Sequence, residues 1–321
     1  MAIQWFPGHM HLTQKAITER FKDGIDVVIE LLDARLPGSS ANPLLAKLAQ
    51  GRPALKVLNK QDLADPLQTE AWLAHYNALP QTHALALDAS VTAPAQRLIA
   101  ACRALAPTRG GMAKPMRVLI CGIPNVGKST LINTMVGKRA AKTGDEPGIT
   151  KLEQRIALAP DFYLYDTPGM LWPKITVPES GENLAASGAV GRNAMDEDVV
   201  AAALLGYVRQ HYPGQIEARY KLDPSKLDLS ALNAAEWLVV IGKKRGAMLA
   251  GGRVNLQKAA EMVLHEFRAG TLGRITLETP EEYSRWVVAA EAVEAAAQEK
   301  KRARKEKRHS SRQPATETSP E

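Results

Sequence analysis

Gly122-Ile123-Pro124-Asn125-Val126-Gly127-Lys128-Ser129 follows an apolar run, Arg117 to Cys121, and precedes Thr130-Leu131-Ile132-Asn133, which is able to open a helix. Strand, glycine-bounded loop and helix in that order make a phosphate cradle. The glycines let backbone N–H groups turn onto phosphate oxygens, Lys128 adds a point charge at the β and γ phosphates, and the Ser129 hydroxyl is placed for Mg²⁺. A glycine turn in an unrelated α/β protein is the plain alternative, and the strand-loop-helix context weighs against it.

Asn59-Lys60-Gln61-Asp62 ends another apolar run, Ala54 to Leu58. Guanine offers two N–H donors on one edge, which a carboxylate accepts and which adenine does not present, so Asp62 would choose the base. Asn59 would hold the loop and approach the purine's other edge, and the Lys60 stem would lie across the ring. Asp88-Ala89-Ser90, after the run Ala84 to Leu87, is a weaker candidate for backbone contacts to the base.

Asp166-Thr167-Pro168-Gly169 caps a fifth apolar run, Phe162 to Tyr165. Asp166 there would hold a Mg²⁺ water, and the Gly169 amide would bond a γ-phosphate. The pattern recurs at Asp145 to Gly148, but that copy lies in the polar stretch Lys138 to Thr150, which suits a switch loop; Thr150 is the candidate second hydroxyl on Mg²⁺.

These short runs alternate with helical patterns, such as the apolar face Leu44, Leu45, Leu48 and Ala49, as expected of α/β units around a mostly parallel, three-layer sheet up to about residue 175. Beyond Pro168 to Gly188 the pattern is helical only. Asn255 is an N-cap candidate, and Thr279-Pro280-Glu281-Glu282 is a second helix start, with proline at the first helical position and acids against the dipole. The expected organisation is an α/β domain over 1–177, a smaller all-α domain over 178–290, and a basic tail over 291–321 that is solvated or disordered until bound.

The 321 residues are about two domains' worth. No apolar run approaches the roughly 18 residues of a membrane span. The start, Met1 to Met10, lacks the layout of a secretion signal or presequence, so the expected location is cytoplasmic. Cys102 and Cys121 are too few for a disulfide framework and read as reduced and inert. Residues 300–312 carry eight Lys or Arg against Glu306, a charge of +7 that equals the net charge of the whole chain. The body is therefore near neutral, and the basic end suggests a polyanionic partner.

The order of the motifs is decisive. In common small GTPases the phosphate loop comes first and Asn-Lys-x-Asp late, whereas here 59–62 and 88–90 precede 122–129, 150 and 166–169, so the chain is circularly permuted. It resembles the permuted ribosome-assembly GTPases, most closely the bacterial ribosome biogenesis GTPase A family, also called YlqF. The resemblance rests on Trp5-Phe6-Pro7-Gly8-His9-Met10, Asp33-Ala34-Arg35-x-Pro37, the nucleotide motifs, Asp166 through Lys174, Gly251-Gly252-Arg253-Val254 and Gly273-Arg274-Ile275-Thr276, and covers about residues 3–285. It implies a permuted P-loop GTPase domain followed by the helical domain, binding of GTP and GDP with Mg²⁺, and a role in maturing the large ribosomal subunit or its precursor through rRNA contacts, with no membrane partner.

Met170 stands where Ras-like enzymes carry a water-orienting glutamine, and a thioether cannot orient water. The resemblance points instead to His9 as the catalytic group beside Lys128; a hinge histidine without a catalytic role is the alternative. Asn125 matches the asparagine that helps bind K⁺ in potassium-dependent relatives, or is a simple polar loop residue. Lys243, Lys244, Arg245, Arg253, Arg268 and Arg274 are candidates for an RNA-facing surface, against the ordinary reading of a solvated basic face. An RNA-binding assembly chaperone using GTP only as a structural ligand, and a regulatory GTPase acting on a protein partner, are the rival functions.

Overall fold

A computed structural model describes residues 6, 8–49, 51–89, 94–136, 154–223, 225 and 231–310, with backbone alone at 9, 154 and 305–310. In chain order the elements are α1 (Gly8–Lys22), β1 (Val27–Asp33), α2 (Pro43–Leu48), β2 (Ala54–Asn59), α3 (Pro66–Asn77), β3 (Thr82–Ala86), α4 (Pro94–Leu105), β4 (Met116–Gly122), α5 (Lys128–Val136), β5 (Gln154–Ala159) and β6 (Phe162–Asp166). There follow α6 (Pro178–Ser187), α7 (Glu197–His211), α8 (Gln215–Tyr220), α9 (Ala234–Lys244), α10 (Leu256–Arg268) and α11 (Pro280–Ser310).

The strands form one sheet in the order β3-β2-β1-β4-β6-β5, parallel except for β5 against β6. All seven residues of β1 are buried, as a central strand covered on both faces requires. Leu98 and Cys102 of α4 and Leu131 of α5 join Ile29, Leu31, Val57 and Ile120 on one face, while Trp72 and Tyr76 of α3 cover Leu32, Leu58, Ala84 and Ala86 on the other. The three-layer α/β expectation holds. Burial pushes the Cys102 thiol up to about 12 and raises that of Cys121 further, so both stay protonated at neutral pH.

Two features add to the expectation. β5 was not anticipated: its Arg155-Ile156-Ala157-Leu158 alternation is short and half-exposed, the signature of an edge strand. The basic end is helical as well as solvated: α11 continues through it to Ser310, with residues 300–304 exposed. Its alanines, glutamates, lysines and arginines are strong helix formers, so the loss of an apolar stripe does not end the helix. The α11 start behaves as expected: Thr279 Oγ1 accepts from the Glu282 amide at 3.1 Å and Glu282 Oε2 accepts from the Thr279 amide at 2.9 Å. Asn255 likewise caps α10, its side chain accepting from the Lys258 amide at 3.0 Å.

Residues 273–283 do not stay with the helical region. Leu277 donates its amide to the Arg35 carbonyl, Ile275 to Leu63, and Trp72 Nε1 to the Glu278 carbonyl at 3.0 Å. The Tyr283 ring stands 5.9 Å from that of Trp72. This segment straps the α/β domain, and the Glu278 carboxyl, buried against Ser39 and Asn183, is pushed up to about 7 by that burial against the pull of its hydrogen bonds.

Candidate functional site

The carboxyl ends of parallel strands β1, β2, β3, β4 and β6 share one edge of the sheet, where ligands of open α/β folds sit. The loop from β4 to α5 runs through two left-handed residues, Asn125 at φ 57° and Gly127 at φ 97°. A Cβ on Gly127 would also run into the Asn59 amide, so both backbone conformation and space demand glycine there. Lys128 begins α5 and is 5% exposed, its ammonium paired with Asp166, which is fully buried at the end of β6. Ser129 is half-buried in the first helical turn, Val126 is buried and Thr130 is exposed.

Asn59 joins three of the predicted segments. Its Nδ2 donates to the Val126 carbonyl at 2.8 Å, and its Oδ1 accepts from the Ala89 amide at 2.9 Å. Lys60, itself left-handed at φ 62°, donates to the Asn125 carbonyl at 2.7 Å. Asp62 is exposed at the rim of this loop, and Asp88 is half-buried beside Ala89. Burial draws the Lys60 ammonium below its ordinary pKa, against the opposing charge of Asp33.

The fourth segment closes on the first. A Cβ on Gly169 would lie 2.9 Å from Pro124 Cα, and the Met170 amide donates to the Gly122 carbonyl at 3.0 Å, so the turn after Asp166 lies against the β4–α5 loop. Met170 itself is 1% exposed, so its side chain belongs to the core. Asn125 Nδ2 donates to the Gly188 carbonyl at 2.8 Å, at the C-terminal cap of α6. The same loop thus touches the helical region directly.

Asn59, Lys60, Ala89, Asn125, Val126, Gly127, Lys128, Asp166 and Gly169 therefore meet in one place. Ser90, Thr150 and the Asp145 to Gly148 copy lie outside the described residues. His9 is the second residue of α1, and its side chain lies outside them too.

Of the basic residues that are candidates for an RNA-facing surface, Arg268, Arg274 and Arg245 are engaged within the chain. Arg268 donates to the Ala185 and Ala186 carbonyls at 2.9 and 2.8 Å, and Arg274 to the Gln61 and Ala64 carbonyls, both at 2.8 Å. Carbonyls at the end of α6 and in the 59–65 loop attract guanidinium groups, which residue type alone does not reveal. Arg245 pairs with Glu266 at 3.0 Å. Lys243, Lys244 and Arg253 are exposed around a short hairpin, bridged at Met248 and Val254, whose Leu249 is also exposed.

This arrangement defines a circularly permuted GTPase fold. A family model described as "50S ribosome-binding GTPase" matches residues 117–235, which starts within β4 and leaves Asn59 to Asp62 on its N-terminal side, as permutation requires. The chain is 41% identical to ribosome biogenesis GTPase A of Bacillus cereus over 92% of its own length and 99% of that protein's. It is 40% identical to ribosome biogenesis GTPase A of Priestia megaterium over 88% of this chain and 98% of that one. Among solved structures it resembles GNP-bound YlqF from T. maritima, with 22% identity and a TM-score of 0.56, covering 84% of this chain and 98% of that one. The chain belongs to the ribosome biogenesis GTPase A family.

Proposed function

We propose that this GTPase hydrolyses GTP to GDP and phosphate as a switch in late assembly of the large ribosomal subunit, in the cytoplasm, slowly alone and faster on the pre-ribosomal particle. One observation carries the reading: the loop that would read guanine and the loop that would hold phosphates are joined by the hydrogen bonds of Asn59 and Lys60. Turnover of GTP measured with and without large subunits tests it. Stimulation supports a switch; binding of subunits with no turnover would favour the RNA-binding chaperone.

The binding residues would divide as their chemistry dictates. Asp62 accepts the two guanine donors, Asn59 and Lys60 shape the base pocket with Asp88, Ala89 and Ser90 behind it, and the amides around Asn125 to Thr130 with Gly169 face the phosphates. Lys128 leaves Asp166 for the phosphate oxygens, a cation exchanging one anion for another. The residues fit Mg²⁺, because the Ser129 hydroxyl at the start of α5 and the buried Asp166 carboxylate are hard oxygen donors beside the phosphate loop. Ser129 and Thr150 would hold the ion directly and Asp166 through water. When bound, Mg²⁺ supplies neutralising charge to the β and γ phosphates. K⁺ would find Asn125 partly committed, since its amide nitrogen bonds Gly188.

Gly169 lies on Pro124, and Asn125 bonds the cap of α6, so a γ-phosphate that shifts either loop acts on the helical region without an intermediate element. Contacts to rRNA would come from Lys243, Lys244 and Arg253 and from α11, whose Lys300, Lys301, Arg302 and Arg304 are exposed. No described helix is long and apolar enough to cross a membrane.

Asp62→Asn is expected to lower GTP affinity by about 2–3 kcal/mol and to relax the preference over ATP and xanthine nucleotides, because an amide no longer matches two donors. An unchanged affinity in direct titration would remove Asn59 to Asp62 as the base reader. Deleting residues 298–321 should leave nucleotide affinity intact while lowering RNA affinity and flattening its salt dependence, each lost phosphate contact changing the logarithmic slope by roughly 0.7–0.9. A slope equal to that of the full chain would make the end of α11 a solvated extension.

A further inference from the structure

The base-reading loop is held by more than its own residues. Asp33 ends β1 in register with Asn59 and is 1% exposed. Each of its carboxylate oxygens is engaged twice or by two partners. Oδ1 accepts from the Arg35 amide at 3.1 Å and from Arg35 Nε at 2.9 Å; Oδ2 accepts from an Arg35 terminal nitrogen at 2.7 Å and from Lys60 Nζ at 2.9 Å. Arg35, also 1% exposed, spends its other terminal nitrogen on the carbonyls of Phe267 and Arg268 at 3.4 and 3.5 Å, and its guanidinium lies 4.8 Å from the centre of the Phe267 ring. The end of α10, the carboxylate of β1 and the lysine of the β2 loop are thus joined through one buried fork.

We propose that Arg35 is a positioning residue for nucleotide binding: by occupying both oxygens of Asp33 it fixes where Lys60 can place its ammonium, and so where the Lys60 stem can support the base. The inference rests on the assignment of Asn59 to Asp62 as the base-reading loop. The physical reason lies in how one ammonium is shared. Lys60 is divided between the Asp33 carboxylate and the neutral Asn125 carbonyl, and a buried carboxylate attracts an ammonium far more strongly than a carbonyl does. Arg35 meets most of the hydrogen-bonding demand of Asp33, which leaves Lys60 able to serve Asn125 as well. Without the fork, Asp33 and Lys60 close into a simple pair and the lysine is drawn off the phosphate loop. The burial of Asp33 would favour its neutral form, but Arg35 and then Lys60 hold the carboxyl well below the usual range, so the anion persists at every pH of interest. A lysine at position 35 keeps the charge but cannot bond both oxygens of Asp33 and the α10 carbonyls together.

The test is a double-mutant cycle on the full chain, reading GDP and GTP affinity by titration of the nucleotides themselves. Arg35→Lys is expected to weaken both nucleotides equally, by roughly tenfold to a hundredfold, the loss of a charge-assisted contact with no part for the γ-phosphate. In the background of Lys60→Met, Arg35→Lys should cost nothing further, because its route to the nucleotide is already gone. Equal losses in both backgrounds, or no loss in either, would overturn the proposal and leave Arg35 as a link between domains. Should Arg35→Lys fail to fold, Phe267→Leu, which removes the ring beneath the guanidinium and keeps an apolar core, runs the same cycle with the same criterion. Asp62→Asn in the same titration separates the two readings: if it is silent, the loop assignment falls; if it costs affinity while the cycle is additive, only the role of Arg35 does.

Discussion

Lys128→Ala is expected to weaken binding of GTP by about a hundredfold to a thousandfold and, in the same protein, to destabilise the nucleotide-free fold. The first effect is the loss of charge-assisted hydrogen bonds to phosphate at about 1.5–3 kcal/mol each, partly offset because wild-type Lys128 must leave Asp166 to make them. The second follows from the pair itself. Lys128 is 5% exposed and Asp166 fully buried, and deleting one member of a buried ion pair costs about 3–5 kcal/mol because the other charge is left without its counter-ion. Asp166→Asn added to Lys128→Ala should therefore recover much of the lost stability and none of the lost affinity. Direct titration with GTP and thermal melting of the nucleotide-free variants check the two limbs. A wild-type affinity for Lys128→Ala would overturn the phosphate-loop assignment, whatever happened to stability.

That assignment was readable in the chain because its information is local. Gly122 to Ser129 sits between a strand and a helix within a score of residues, and each residue type has a reason that needs no distant partner. Asn59 to Asp62 was equally legible, and the order of the two motifs revealed the permutation. What sequence did not disclose depends on contacts between residues far apart. Arg268 and Arg274 look like any exposed arginines until the carbonyls of Ala185, Ala186, Gln61 and Ala64 are placed beside them. Arg35 belonged to a recognisable Asp-Ala-Arg cluster, yet nothing in its neighbours pointed to Phe267, more than two hundred positions away. The helical form of the basic end was hidden for a different reason. Amphipathic periodicity reports packing, and a helix of good formers persists where it packs against nothing.

The contacts among α6, α10 and β1 give permutation a structural consequence. An unpermuted domain would keep the turn after Asp166 inside the sheet, with the next strand as its fixed continuation. Here that turn leads through Gly169 and Met170 into α6, and α6 is held by Arg268 from α10, which in turn bears on Arg35 and Asp33. On the proposed assignment of the two loops, the phosphate loop and the base-reading loop are therefore joined through α6 and α10 as well as through the sheet. On the proposed function, a particle docked on the helical region would bear on both loops, and by linkage would alter nucleotide affinity in return.

His9→Ala is expected to leave GTP and subunit binding nearly unchanged while depressing the subunit-stimulated rate of hydrolysis by about tenfold to a thousandfold, the range of a lost general base or water-positioning group. The reason begins at Met170, which occupies the glutamine position of Ras-like enzymes. It is a core residue, its amide bonded to Gly122 and its carbonyl accepting from Asn42 Nδ2 at 3.0 Å, so neither side chain nor backbone is available to an attacking water. A substitute must come from outside the turn. Position 9 is suited to provide one conditionally. α1 is anchored from Met10 onward by Met10, Ile17 and Phe21, all buried, whereas Gly8, the first helical residue, is exposed and would have open space around a Cβ. Glycine at the first turn makes unwinding there inexpensive, so His9 can leave the helix without disturbing the anchored remainder. On this reading the free protein turns over near the roughly 10⁻⁴ per second of an unassisted Ras-like site, and docking on the subunit holds the imidazole over the phosphate. Single-turnover hydrolysis on large subunits, with both components saturating, separates chemistry from binding. A wild-type rate for His9→Ala would make His9 a residue of the α1 start and would transfer the catalytic group to the particle.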